Sequence, residues 1–150
     1  PGYRPFPEKQ IDAVIALARD IVGRNGISAD RVLAHSDIAP GRKRDPGELF
    51  PWQRLARAGV GLWVPPVESG EGRSYAPGET SPPVAALQAM LRFYGYGLEV
   101  NGHYDAATAA VVEAFQRHFR PGRVDGIADP GTAATLRALL EAREVREAIA

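Results

Sequence analysis

The chain has 150 residues, which is enough for one or two small domains with hydrophobic cores of their own. Its 18 basic and 18 acidic residues cancel, so its charge gives no reason to expect a nucleic acid as a partner. No apolar run approaches the roughly 20 residues that span a bilayer, and the lack of cysteine excludes disulfides and thiolate metal sites.

Residues 1–64 form the first predicted unit. Apolar side chains recur at helical spacing between residues 11 and 22, which is typical of an amphipathic helix. Pro7-Glu8 favours a helix start and Asn25-Gly26 a helix stop, so we predict a helix over about 8–24. We expect Glu8, in the first turn, to stabilise the helix dipole rather than to act as a base.

The next segments are short. Residues 31–34 are apolar and predict a buried strand, with His35 at its end, where catalytic and metal-binding groups are common. A short helix is predicted over about 51–58. Residues 65–82 are rich in proline, glycine, serine and charge, which indicates a linker or an extended surface crossing.

The most informative stretch begins at His35 and reads HSDIAPGRKRDPGELFPW. Asp45 follows His35 by ten residues, Lys43 precedes Asp45 by two, and the pairs Pro40-Gly41 and Pro46-Gly47 allow the loop to fold back. A neutral imidazole and a carboxylate are both ligands for Zn²⁺, and a nearby lysine can stabilise an oxyanion. By residue type alone, a hydrogen-bonded structural histidine and a turn aspartate are the commoner interpretation.

Residues 83–150 form the second predicted unit, and they contain an internal repeat. The segment VNGHYDAATAA at 100–110 aligns at an offset of 24 with VDGIADPGTAA at 124–134. In each copy an Asn-Gly or Asp-Gly turn precedes an aspartate, Asp105 or Asp129, that can cap the following helix. Helices are predicted over about 83–94, 106–119 and 130–147. Together they form an all-α three-helix bundle.

The string HSDIAPGRKRDPGELFPW closely resembles the second half of the zinc-dependent N-acetylmuramoyl-L-alanine amidases of type 2. The resemblance implies that residues 1–64 are the C-terminal part of a mixed α/β catalytic domain, a β-sheet flanked by helices. It also implies that His35 and Asp45 are ligands of a Zn²⁺ cofactor, and that Lys43 lies near the developing oxyanion.

The bundle resembles the peptidoglycan-binding domain 1 family, whose signature D-G-x-[FY]-G-x-x-T is repeated; the first copy here has Asn101 in place of the first aspartate. The resemblance implies peptidoglycan as a partner. Asn101, Tyr104 and Asp125 are candidates for substrate contacts near the turns. The alternative interpretation of Tyr94, Tyr96 and Tyr104 is core and turn packing, and it is the commoner one.

Part of the amidase site has no counterpart in this sequence. The family takes its first zinc histidine and a catalytic acidic residue from upstream strands, whereas His103 and His118 are expected to be surface or packing residues. We therefore expect residues 1–64 to pack against an N-terminal fragment of the same protein, which a separate, cleaved chain could supply. The lack of an initial methionine and of a signal segment leads us to expect a fragment or a processed product.

The sequence thus predicts an α+β protein and three possible functions. The first is a peptidoglycan hydrolase that cleaves the amide bond between N-acetylmuramic acid and L-alanine through zinc-activated water, with a wall-binding module. The alternative is a non-catalytic peptidoglycan-binding protein that carries an incomplete amidase remnant. The third is a regulatory or interaction domain without wall contact. A wall-binding module predicts the periplasm or cell envelope, including association with the outer membrane.

Overall fold

The computed structural model describes residues 3–68 and 70–149, and these are mostly helical. The α-helices are α1 (Glu8–Asn25), α2 (His35–Ile38), α3 (Trp52–Arg57), α4 (Pro82–Tyr94), α5 (Ala106–Phe119) and α6 (Pro130–Ile149). The five helices predicted from the sequence are present, and their ends differ from the predictions by at most two residues. Within the described ranges, no helix is both long and apolar enough to span a bilayer.

The strand predicted over residues 31–34 is not present in the described structure. Ala29–Arg31 forms a 3-10 helix, and Val32 and Ala34 have an extended backbone that pairs with no neighbouring strand in the described residues. An extended segment becomes a strand only when a neighbouring strand accepts its backbone hydrogen bonds, and apolar side chains alone cannot supply one. His35 therefore begins α2 instead of ending a strand. Pairing in the described ranges is limited to two isolated bridges, Tyr75 with Ala128 and Thr80 with His103.

The first hydrophobic core lies between α1, α3 and the segment around Ala34. Gly26 directly follows α1 and has a left-handed φ of 61°. Glycine commonly ends a helix because it adopts this conformation without strain. Arg54 of α3 forms ion pairs with Glu8 and Asp12 of α1, so the two helices are joined at their solvent side as well as in the core. The buried members of this core are Ile11, Ala34, Trp52, Leu55 and Val60.

Helices α4, α5 and α6 enclose the second core. Asp105 Oδ1 accepts from Thr108 N (2.8 Å) at the start of α5, and Asp129 Oδ1 accepts from Thr132 N (2.8 Å) at the start of α6, so both predicted caps are confirmed. Trp63 packs against both cores, which makes the two contiguous. Buried side chains of the second core include Leu87, Leu91, Val111, Phe115, Phe119, Leu136 and Leu139.

The segment between the two cores is an extended crossing that is fixed to the bundle. Val67 N donates to Thr135 Oγ1 (2.9 Å), and the guanidinium of Arg120 donates to Val67 O (3.0 Å) and Glu68 O (2.9 Å). Arg120 is also paired with Asp129 at 2.9 Å. Of the two interpretations of residues 65–82, the surface crossing therefore agrees with the structure and a free linker does not.

Candidate metal centre

Backbone hydrogen bonds fold the loop after α2 back on itself. Ser36 N donates to Asp45 O (3.1 Å), which joins the two ends of the loop, and Lys43 N donates to Ala39 O (3.0 Å) within it. As a result, His35 Nδ1 lies 3.0 Å from Asp45 Oδ2. The loop therefore brings together the imidazole and the carboxylate that the sequence singled out.

The pair is open to solvent, with the side chains of His35 and Asp45 51% and 64% exposed. Desolvation acts to raise the pKa of Asp45. The hydrogen bond with His35, together with electrostatic interactions with His35 and Lys43, outweighs it and holds this pKa below its ordinary value of 3.8. Asp45 is therefore ionised at neutral pH, the state that a metal ligand requires. The exposed Lys43 contributes here through its charge.

The pair has the composition and spacing of part of a zinc site. Two ligands of a tetrahedral Zn²⁺ with bonds of about 2.0–2.1 Å lie about 3.3 Å apart, close to the 3.0 Å between His35 Nδ1 and Asp45 Oδ2. A catalytic zinc usually takes three protein ligands. In residues 3–68 and 70–149, no third His, Cys, Asp or Glu lies close enough to complete a metal-binding group. The described residues thus fit two ligand positions of such a site.

Tyr3 supports the loop beyond Asp45. Its hydroxyl donates to Pro46 O (3.1 Å) and accepts from Leu49 N (3.2 Å). Gly47 lies beneath this hydroxyl with φ of 86°, and a Cβ built on it would lie 2.1 Å from the Tyr3 oxygen. Both the left-handed backbone and the close approach require glycine here.

A cavity of about 500 Å³ opens beside Asp45, and both halves of the chain line it. Arg44 and Glu48 come from the loop, and Arg117 comes from α5. Arg117 is buried and forms an ion pair with Glu113 at 2.7 Å. The bundle therefore forms one wall of the space next to the candidate metal ligands.

In the bundle, two buried glutamines that the sequence analysis missed build the repeated turns. In each copy the glutamine Oε1 accepts from two consecutive backbone N–H groups of the turn, and its Nε2 donates to a threonine hydroxyl of the next helix, at 2.8 to 3.2 Å. The partners are Asn101, Gly102 and Thr108 for Gln88, and Asp125, Gly126 and Thr132 for Gln116.

The three candidate substrate contacts of the bundle all take part in these turns. Tyr104 is only 1% exposed and its hydroxyl donates to Gly126 O (2.7 Å), so its burial does not fit the predicted sugar contact and favours the packing interpretation. Asn101 Oδ1 accepts from His103 N (2.9 Å), and Asp125 Oδ1 accepts from Ile127 N (3.0 Å). Asn101 and Asp125 are exposed, and their contact with substrate remains a prediction.

His118 is a packing residue, as expected, but its partners were not predicted. It is buried against Asp37 and Trp52 of the first unit, and Asp37 also accepts from Tyr96. Tyr96 and His118 are separated from Asp37 by 59 and 81 residues, so no local pattern could reveal the cluster. The one available signal was that His118 follows Val111, Ala114 and Phe115 at helical spacing, on the apolar face of α5.

Comparison with known proteins agrees with the two-part organisation. Residues 1–48 match the family described as N-acetylmuramoyl-L-alanine amidase, and residues 80–136 match a peptidoglycan binding domain family. The first part of the chain thus matches the amidase family, and the bundle matches the peptidoglycan-binding family.

Among individual proteins, the chain is similar to the N-acetylmuramoyl-L-alanine amidase AmiD of Escherichia coli (strain K12), with 42% identity over 142 residues that cover 93% of this chain and 50% of AmiD. It resembles the structure of E. coli AmiD in complex with anhydro-N-acetylmuramic acid-L-Ala-D-gamma-Glu-L-Lys (TM-score 0.77, 41% identity, 93% of this chain and 54% of that one). It also resembles AmpDh3 from Pseudomonas aeruginosa in complex with anhydromuramic pentapeptide (TM-score 0.72, 32% identity, 93% and 55%). The chain spans about half the length of these relatives.

Proposed function

We propose that the chain is part of a peptidoglycan hydrolase that cleaves the amide bond between N-acetylmuramic acid and the L-alanine of the stem peptide. The observation that carries this proposal is the 3.0 Å pairing of His35 and Asp45 within a segment of the amidase family. The muramyl peptides held by the two related structures support the class of substrate. The bundle, which matches a peptidoglycan-binding family, would hold the same polymer.

In this proposal His35 and Asp45 hold Zn²⁺ together with a ligand from outside the described residues. When bound, zinc supplies Lewis-acid activation of water and of the amide carbonyl. Lys43 places a positive charge near Asp45, where it would stabilise the negative charge that develops on the carbonyl oxygen. The adjoining cavity, about 500 Å³ in volume, has room for a muramyl peptide next to the ligand pair.

The remaining ligand and the catalytic acid would come from an N-terminal segment of the same protein that carries the mixed β-sheet. Exposed large apolar side chains of the first unit support this proposal, because a further segment packed on them would remove them from water. Leu17 is 61% exposed, and Ile21, Leu33 and Ile38 are also exposed. With that sheet in place, the fold would be the predicted α+β arrangement. Intact-mass analysis of the protein from its source would show whether the segment lies on the same polypeptide or on a cleaved one.

A second candidate is a non-catalytic peptidoglycan-binding protein. It is favoured by the fact that the described residues supply two metal ligands instead of three. In that case the amidase part would serve as a scaffold for the bundle, and the protein would bind the polymer without hydrolysing it.

The experiment that separates the two candidates uses the full-length protein and its Asp45→Ala variant. We would measure release of peptide from purified peptidoglycan, zinc content by mass spectrometry, and sedimentation with insoluble peptidoglycan. Asp45→Ala is expected to lose hydrolysis and zinc while it still sediments. The control is Asp20→Ala, which removes an exposed carboxylate that pairs with Arg24 on α1.

Hydrolysis retained by Asp45→Ala would refute the metal-ligand role. Wild-type protein that sediments but never hydrolyses, even with added zinc, would establish the non-catalytic alternative. Because the proposed substrate is a wall polymer, we also propose the periplasm or cell envelope as the location. Fractionation of the source cells with an antibody against the bundle would test it, and recovery in the cytosolic fraction would contradict it.

A further inference from the structure

A buried carboxylate joins the two halves of the chain within residues 35–51, which carry His35 and Asp45 and are called the ligand loop below. The side chain of Asp37 is only 4% exposed, and both of its oxygens have partners. Oδ1 accepts from the Tyr96 hydroxyl at 2.8 Å. Oδ2 accepts from Ala34 N at 2.8 Å and lies 2.7 Å from His118 Nδ1, which donates to it when Asp37 is a carboxylate. Two of the three donors therefore come from the bundle.

These donors are needed because a buried carboxylate without hydrogen bonds is strongly unfavourable. Burial, together with the negative charge of Asp37, raises the pKa of Tyr96 well above its ordinary value, so its hydroxyl keeps its proton and remains a donor. Loss of either bundle donor would leave the buried Asp37 carboxylate partly unsatisfied. The carboxylate would then move towards solvent and shift the turn that carries it.

His118 also contacts the far end of the same loop. Its ring stacks on Trp52, with centroids 3.8 Å apart and planes at 22°, and on Phe119 at 3.9 Å. Trp52 is the first residue of α3, directly after the loop, whereas Asp37 lies at the start of the loop. One histidine of the bundle thus contacts Asp37, two residues after His35, and Trp52, seven residues after Asp45.

The route from Asp37 to His35 is short. Asp37 accepts from the backbone N–H of Ala34, so the residues on either side of the His35–Ser36 pair are held by one carboxylate. Ser36 in turn donates its N–H to Asp45 O at 3.1 Å. A shift of Asp37 would therefore change both the backbone at His35 and the distance from His35 to Asp45.

We propose that His118 and Tyr96 of the bundle are positioning residues for the metal centre, which they hold in place through Asp37. The peptidoglycan-binding bundle is then part of the support of the ligand loop as well as a means of attachment to the wall. This role rests on the proposed function, because it requires His35 and Asp45 to be metal ligands. Groups that hydrogen-bond directly to metal ligands typically change metal affinity or activity by about 10–100-fold when they are removed, and we take this range as the upper bound for residues that act through Asp37.

The test compares His118→Phe with His118→Asn in the full-length protein. Phenylalanine keeps a ring to stack on Trp52 and Phe119 but has no donor for Asp37, whereas the asparagine amide can restore the donor. We expect His118→Phe to weaken zinc binding by at most about 10–100-fold, measured by competition with a chromogenic chelator, and His118→Asn to recover much of the loss. The visible spectrum of the cobalt-substituted protein should change in His118→Phe, because it reports ligand geometry.

Activity is measured on a soluble muramyl tripeptide, which does not require attachment to the wall. His118→Phe should lower kcat and leave KM nearly unchanged. The control is Leu139→Ala, which opens a cavity in the bundle core and lowers stability but removes no hydrogen-bond donor from Asp37. Its zinc affinity and cobalt spectrum, measured below its unfolding temperature, should match those of the wild type.

Unchanged zinc affinity, spectrum and kcat in His118→Phe would overturn the positioning role, and so would equal losses in His118→Phe and Leu139→Ala. In both cases an active, zinc-binding wild type leaves the proposed function standing. Wild-type protein that neither binds zinc nor hydrolyses the tripeptide would refute the proposed function itself, and the positioning role with it.

Discussion

Removal of the Arg120 guanidinium should cost the bundle a large part of its stability. Arg120 is 2% exposed, pairs with Asp129 at 2.9 Å, and donates to the carbonyl groups of Val67 and Glu68. Breaking a buried ion pair by removing one partner costs about 3–5 kcal/mol, because the other charge stays buried. Asp129 keeps the N–H of Thr132, while the two carbonyl groups can reach water if the crossing loosens. We therefore expect Arg120→Met to lower the free energy of unfolding by about 3–4 kcal/mol.

Arg123 provides a matched control, because it pairs with the same carboxylate from a different environment. It lies 3.1 Å from Asp129, but its side chain is 50% exposed and solvent screens the pair. Arg123→Met should change stability little. Urea unfolding, followed by tryptophan fluorescence, measures both variants, and limited proteolysis reports whether residues 65–82 have come away from the bundle. Arg120→Met within about 1 kcal/mol of the wild type, or equal effects of the two substitutions, would refute the reasoning.

Two further predictions concern backbone strain and pH. Gly47→Ala should destabilise the loop by about 1–3 kcal/mol and displace the Tyr3 hydroxyl, because φ is 86° and the new Cβ would lie 2.1 Å from that oxygen. Gly23→Ala, in the interior of α1 with nothing within 4 Å of its Cβ, should instead stabilise the protein; urea midpoints that change alike would contradict this. For Asp125 and Asp129, desolvation raises the pKa, but hydrogen bonds and arginine charges lower it more, so the folded values lie below 3.8. Their stabilising contribution is complete above the unfolded pKa and is lost as pH falls through the folded pKa. The urea concentration at the unfolding midpoint should therefore decrease when the pH is lowered below about 4, and it should decrease less in Asp129→Asn. A midpoint concentration that rises on acidification would contradict the assignment.

Most of the helices could be predicted because their boundaries are marked by local chemistry. Gly26 ends α1, and Asp105 and Asp129 cap α5 and α6 with side-chain oxygens. The predicted strand at 31–34 was wrong for the described structure because strand formation depends on a partner elsewhere in the chain. Helix α2 was missed because its four residues are too few to show a periodic pattern.

The candidate site, like the fold, could be predicted only in part. The proximity of His35 and Asp45 could be predicted because they are only ten residues apart, with Pro40-Gly41 between them and Pro46-Gly47 directly after Asp45. The role of the two glutamines could not be predicted from the sequence repeat, because Gln88 precedes its turn by 13 residues and Gln116 precedes its turn by 9. The repeat offset of 24 therefore does not align them. In the folded chain the two glutamines are equivalent, because each presents its side-chain amide to the corresponding backbone N–H groups of its own turn.

The contacts around Asp37 also bear on how the two parts work together. A flexible tether would let the bundle grip the polymer while the ligand loop sampled many positions nearby. Here Arg120 fixes the crossing, Trp63 joins the cores, and His118 contacts two residues of the first unit. The bundle therefore has a defined orientation relative to the cavity beside Asp45. If the bundle binds a long polymer as proposed, the place where it binds would determine which amide bond reaches the candidate metal centre.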